Sequence, residues 1–122
     1  MNEARPYSKE TQLARSEPRY RRKVASRKEW ERIKAEKMGP CRVCSTRLFV
    51  DPHHIVLREH GGDDLPENVA PVCRDDHAAL HNRAPAIVRL FLSRLTDAEY
   101  AYAVGKAGED YFERAYGLEY AR

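Results

Sequence analysis

DPHHIVLREHGGDDLPENVAPVCRDDHAALH, residues 51–81, is the stretch whose reading decides the fold. Just ahead of it, TRLFVDPHHI (residues 46–55) is rich in β-branched and aromatic side chains up to Asp51-Pro52 and resumes with His53-His54-Ile55. This predicts a strand with a break at the proline. LREHGGDDLPEN then reads as a loop that turns at Gly61-Gly62, and NVAPVC as a short second strand. From about Asp75, DDHAALHN has the pattern of a helix start with an acidic residue as its cap. The order strand, loop, strand, helix predicts an α+β fold built on a short two-stranded hairpin.

On the amino-terminal side, Ser26 followed by Glu29 has the spacing of a capping box. Trp30, Ile33 and Met38 can share one side of the helix that follows, which Gly39-Pro40 ends. On the carboxy-terminal side, AIVRLFLSRL (residues 86–95) is a strongly apolar helix candidate. Thr96 with Glu99 opens a second helix, along which Tyr100, Val104, Ala107, Tyr111 and Ala115 recur at helical spacing until Gly117. An aromatic stripe at this spacing is packing, so Tyr100 and Tyr111 are given no chemistry. The expected organisation is a flexible basic arm over residues 1–25 and a single domain over residues 26–122. Its core is residues 41–82, with a helical part of two helices in residues 83–122.

The chain has 122 residues and a net charge of +3, unevenly spread. Residues 1–40 carry twelve Lys/Arg against six acids, residues 41–82 four against seven, and residues 83–122 six against six. A polyanion would therefore meet the amino-terminal arm first, and Arg21, Arg22, Lys23, Arg27 and Lys28 are the candidate contacts. Charge alone leaves a merely solubilising arm equally open. Three cysteines are too few and too odd in number for a disulfide framework, and no apolar run is long enough to span a bilayer. A reducing, cytoplasmic setting is the expectation, with no membrane partner.

All five histidines and all three cysteines fall between residues 41 and 81. His77 and His81 stand at i and i+4, about 6 Å apart on one helix face, where two imidazoles can grip one ion. His77 is followed by Ala-Ala-Leu, with no adjacent Glu to act as base, so a zinc protease is disfavoured. His53 and His54 are neighbours on an extended segment and point in opposite directions, so one can face a metal and the other a water. A base for phosphodiester hydrolysis needs a near-neutral pKa and freedom from the metal, and the second imidazole meets both conditions. His60, on the Gly-Gly loop, reads as an exposed loop residue rather than a ligand.

The paired histidines, Gly-Gly loop, Asn68 and Cys73-x3-His77 together resemble the ββα-metal motif of HNH nucleases, especially small phage-associated members. The likeness covers residues 41–81, with a weaker one in LTDAEYAYAVGKAGEDY. It implies His53 and His77 as metal ligands, His54 as general base, and Asn68 as a brace of the loop that helps hold His54. His81 matches a third metal histidine found in one branch of the family. The resemblance implies hydrolysis of DNA with one divalent ion. An all-histidine site suits Zn, Ni, Co or Mn, and Mg only where water and phosphate add oxygen ligands. Arg58 is the nearest basic residue to assist at the phosphate, or else a solvated loop arginine.

Related proteins carry two Cys-x2-Cys knuckles on a structural zinc, whereas here Cys41, Cys44 and Cys73 lack a fourth thiol and Asp76 stands in its place. A Cys3Asp zinc site is possible, since carboxylate is a zinc ligand. His81 or a water can complete it instead, the thiols can be buried without metal, and Asp76 can be the helix cap. A module of this size buries little apolar surface, which favours a structural zinc. Two functions follow: a DNA endonuclease, or a zinc-stabilised nucleic-acid-binding module without catalysis. The phage likeness implies a homing-type nuclease or a partner of phage DNA-processing or packaging proteins, and the residues do not separate these. Nor do they give the oligomeric state.

Overall fold

The computed structural model describes residues 22–117. In it the chain runs α1 (Arg27–Lys37), β1 (Val50–His54), β2 (Val69–Cys73), α2 (Arg74–His81), α3 (Pro85–Ser93), α4 (Asp97–Ala107) and α5 (Tyr111–Tyr116). Helix α1 starts on the expected capping box: Ser26 Oγ accepts from Glu29 N at 3.1 Å, and Ser26 N donates back to Glu29 Oε1 at 3.0 Å. Among the described residues no helix is long and apolar enough to cross a membrane.

β1 and β2 pair antiparallel, from Val50 opposite Cys73 to His54 opposite Val69. The break expected at Pro52 does not occur. Pro52 lies opposite Pro71, so two residues without N–H groups share one position and the ladder bonds fall to the pairs on either side. The Pro71 carbonyl instead accepts from Arg42 N at 2.8 Å. The strand begins at Val50 rather than Thr46, because residues 41–46 close a tight turn: Cys41 N donates to Thr46 O and Ser45 N to Cys41 O. Phe49 then takes a positive φ of 54°, which ends any extension toward Thr46.

The connection between the strands holds two single-turn 3-10 helices, Arg58–His60 and Pro66–Asn68. Its two glycines do different jobs. Gly61 closes the first turn with φ 88°, a left-handed conformation that favours glycine. Gly62 is needed for space, since a Cβ there would lie 1.7 Å from the Val56 carbonyl oxygen.

Helix α2 is capped by Cys73, whose sulfur accepts from Asp76 N at 3.4 Å, and not by an acidic residue as expected. Asp76 sits in the first turn, with its carboxylate turned to the thiols. The second of the two expected carboxy-terminal helices is divided, so three helices follow α2. Gly108 takes φ 102° after α4, and Arg114 Nη2 donates to the Ala107 carbonyl at 2.7 Å, satisfying the helix end. The core joins the hairpin residues Ile55, Val56 and Val72 to Leu80 of α2, Phe91 and Leu92 of α3, and Tyr111, Phe112 and Tyr116 of α5.

One buried carboxylate ties the periphery to this core. Glu99 is wholly buried and accepts from Lys37 Nζ at 2.6 Å, from Arg42 at 2.7 and 3.1 Å, and from Thr96 N at 2.8 Å. Burial alone would push its carboxyl up, but Arg42, Lys37 and the Thr96 N–H outweigh burial and hold it below the usual glutamate value of 4.5. The end of α1, the Cys41–Cys44 turn and the start of α4 thereby meet at one charge.

Candidate metal centre and active site

His53 comes from β1, and His77 and His81 from successive turns of α2. Each offers a ring nitrogen, and the three donor atoms lie within 4.8 Å of one another. His77 and His81 bring their Nε2 atoms to 3.2 Å, as residues one helical turn apart can. His53 is fully buried, and burial together with the neighbouring His77, His81 and His54 pulls its pKa well below 6.5, so it is a neutral imidazole. Its Nδ1 is buried with no hydrogen-bond partner. An orphaned buried acceptor beside two more imidazoles fits a bound divalent ion, because a buried polar atom without a partner is otherwise costly. The three-histidine set therefore includes His81, which takes no part in the cysteine cluster.

His54, the next residue on β1, faces elsewhere. Its ring stacks on Trp30 of α1 at 5.5 Å, and its Nε2 lies 2.8 Å from Asp64 Oδ1. Burial pushes the Asp64 carboxyl up, but the Ala25 N–H, His54 and Arg22 outweigh it and hold the group below the usual aspartate value. Asp64 is thus ionised and can only accept, so His54 Nε2 is the donor and Nδ1 carries the free lone pair. Burial, helped by Arg22 and Arg58 and opposed by Asp64, lowers the His54 pKa and keeps the ring neutral. The arrangement is a histidine with one nitrogen anchored by a carboxylate and the other available to accept a proton.

Asn68 is buried and holds the loop rather than His54 itself. Its Oδ1 accepts from Val56 N at 2.7 Å, and its Nδ2 donates to Val56 O at 3.1 Å and Asp63 O at 3.0 Å. These bonds fix the segment that leaves β1 against the one that carries Asp63-Asp64. Asp63 is anchored in turn by Tyr102 Oη at 2.6 Å and Lys23 N at 2.5 Å. Asn68 therefore acts on His54 through the backbone and through the position of Asp64.

Cys41, Cys44, Cys73 and Asp76 form a second cluster whose ligand atoms also lie within 4.8 Å of one another. Asp76 Oδ2 is 3.2 Å from both Cys41 and Cys73 sulfurs, and the Cys44 and Cys73 sulfurs are 3.7 Å apart. Val43 N and Asp76 N each approach a cysteine sulfur at 3.4 Å, the backbone support that a thiolate ligand uses. With no ion, burial pushes the Cys73 thiol up to about 12. A divalent cation supplies the compensating charge, so this donor set fits zinc.

A cleft of about 690 Å³ opens over His53, His54, His77 and His81, with Trp30, Arg22 and Arg58 on its walls. Arg22 is partly committed, pairing with Asp64 and donating Nε to Gly62 O at 2.8 Å. Residues 22–25 are thus held on the Gly-Gly loop: Lys23 O accepts from Asp64 N, and Ala25 N donates to Asp64 Oδ2. Arg27 and Lys28 are exposed on the first turn of α1 and do not line the cleft, and Arg21 lies outside the described residues. His60 is exposed and bonded through Nδ1 to Tyr111 Oη at 2.9 Å, apart from the ligand cluster. Three neighbours of the histidines escaped the sequence reading: Asp64, Trp30 as the stacking partner of His54, and Tyr116. Asp64 had a faint signal as one of two adjacent acids directly after the Gly-Gly turn, and Tyr116, 63 residues from His53, had none.

A two-stranded hairpin followed by a helix, with histidines of strand and helix converging on one point, is a ββα arrangement. Residues 41–83 match the family model described as HNH endonuclease. An HNH domain implies nucleic-acid binding and nuclease chemistry. No curated protein and no solved structure matches the chain.

Proposed function

We propose that the protein is a metal-dependent DNA endonuclease that hydrolyses phosphodiester bonds, with His54 as general base and one divalent ion held by His53, His77 and His81. The observation that carries this reading is the juxtaposition, in one cleft, of a three-histidine donor set with a fourth histidine anchored at a single nitrogen. When bound, the ion supplies charge stabilisation for the scissile phosphate and the leaving 3′-oxygen. His54 Nδ1 takes the proton of the attacking water, while Asp64 holds the opposite nitrogen and offsets the charge that develops on the ring. Arg58, on the cleft wall, neutralises phosphate, and the stacked Trp30 restricts the His54 ring. The cysteine cluster holds a structural zinc.

The test is conversion of supercoiled plasmid by the full chain with Mg, Mn, Ni or Zn, repeated with His54→Ala. Nicking that depends on metal and drops by at least about a hundredfold in the variant is expected. Equal cutting by the variant removes His54 from the role of base. Salt-dependent DNA binding without conversion under any metal instead supports a zinc-stabilised binding module.

A further inference from the structure

Tyr116, the last residue of α5, lies outside the segment that matches the HNH family and is almost completely buried. Its hydroxyl touches two groups of β1 and its continuation: the Ile55 carbonyl oxygen at 2.6 Å and His53 Nε2 at 2.8 Å. A phenol has one proton to donate. A carbonyl oxygen can only accept, so the proton goes to Ile55; otherwise two oxygen lone pairs would face each other at 2.6 Å. The phenol oxygen is then an acceptor toward His53, whose Nε2 must carry the ring proton. A neutral imidazole has only one such proton, which leaves Nδ1 bare, and Nδ1 is the buried atom with no partner.

We infer that Tyr116 is a positioning residue for the metal centre: it fixes the Nε2–H tautomer and the ring rotation of His53, so that a divalent transition metal is ligated through Nδ1. The inference rests on the three-histidine reading above. A ligating histidine generally holds its second ring nitrogen on a partner that sets tautomer and orientation, a role usually taken by a carboxylate, a backbone carbonyl or a water. Here a phenol relays the role from a backbone carbonyl. The carbonyl that anchors the relay belongs to Ile55, two residues beyond His53, so the ligand and its support move as one piece.

The experiment uses full-length protein with ¹⁵N-labelled histidine, comparing wild type with Tyr116→Phe, a change that deletes only the hydroxyl. Long-range ¹H–¹⁵N correlation reads the tautomer of each ring, with the His53 signals identified by their loss in His53→Ala. Ni²⁺ or Zn²⁺ is then titrated in, on protein whose cysteines are already saturated with zinc. Wild-type His53 is expected in the Nε2–H form, with the ion shifting its Nδ1. Tyr116→Phe is expected to lose the fixed tautomer and to bind the ion about 10- to 100-fold more weakly, with an unchanged circular-dichroism spectrum. A wild-type His53 protonated at Nδ1, an ion bound at its Nε2, or equal tautomer and affinity in the variant overturns the inference while leaving metal binding intact. If ions shift none of His53, His77 and His81 in wild type, the metal-site reading falls and takes the inference with it. The wild-type tautomer and the nitrogen that the ion shifts are read without Tyr116→Phe, so the test stands even if that variant fails to fold.

Discussion

Replacing Glu99 by Gln removes one negative charge from the junction of α1, the Cys41–Cys44 turn and α4, and changes little else. Gln has nearly the same shape, and at the third position of a helix it can still accept from the Thr96 N–H. What is lost is compensation for two cations, since the side chains of Lys37 and Arg42 are only 15% and 20% exposed while that of Glu99 is 0% exposed. Removing one partner of a buried ion pair costs about 3–5 kcal/mol, and because both cations retain some contact with water we expect about 2–3 kcal/mol here. For a domain near this size, each 1 kcal/mol lowers the melting temperature by roughly 4–8 °C, so a fall of about 10–20 °C follows. The sign of the pH dependence is also fixed. The Glu99 carboxyl titrates below 4.5 in the folded chain, so its contribution is complete above that value and is lost as pH falls through the folded pKa. Urea unfolding of wild type and Glu99→Gln, followed by tryptophan fluorescence, should differ most near neutrality, and the gap should narrow as pH falls below about 5 through the folded pKa. Other acid-sensitive groups act in both proteins and cancel in the difference. A loss under about 1 kcal/mol at neutral pH, or a gap that stays constant into acid, would falsify the view of Glu99 as a charge-compensating junction.

Gly62→Ala sets a methyl group 1.7 Å from the Val56 carbonyl oxygen, so the backbone must move; a loss of at least about 2 kcal/mol together with nicking is expected, and an unchanged melting curve refutes the close-approach argument. Asp64→Asn should slow nicking at saturating DNA by roughly 10- to 100-fold with DNA affinity kept or improved, because His54 loses its anchor while a negative charge behind the cleft wall is removed; a rate within about twofold of wild type rejects Asp64 as the orienting group. Cys73→Ser should release zinc on metal analysis and melt at least about 10 °C below wild type, as should wild type stripped by a chelator, and equal melting with and without zinc discards the structural role of the cluster.

The hairpin and its helix were legible because their signals are local: strand composition, the Gly-Gly turn, and two histidines at helical spacing. The capping box at Ser26 was equally plain, since its partners are three residues apart. Where the reading slipped, a long-range contact had reassigned a residue with a strong local preference. Pro52 looks like a strand break until Pro71 lies opposite it. The acidic cap expected for the helix is replaced by Cys73, while Asp76, already a candidate fourth zinc ligand by its spacing, turns its carboxylate to the thiols. Gly108 was passed over because the aromatic periodicity continues across it, although its φ of 102° divides the helix. At the site, the residues with metal or acid–base chemistry stood out by type, whereas Asp64, Trp30 and Tyr116 acquire meaning only from their neighbours. Asn68 was assigned to bracing the loop and to holding His54, and its hydrogen bonds run to the loop alone.

Helix α2 has eight residues, too few to persist alone in water, and it is gripped at both ends by donor clusters. Asp76 near its start belongs with the thiols and His77, the very next residue, with the imidazoles, about 100° further round the axis. The helix therefore works as a shared axle: no rotation or slide can tune one cluster without detuning the other. A single residue inserted between His77 and His81 would swing His81 by about 100° out of its cluster yet leave the thiol end untouched. The same residue inserted ahead of Asp76 would disturb both. Tolerance to insertion should thus change abruptly within one turn, and only four consecutive residues (His77-Ala-Ala-Leu80) separate the thiol end of the axle from His81.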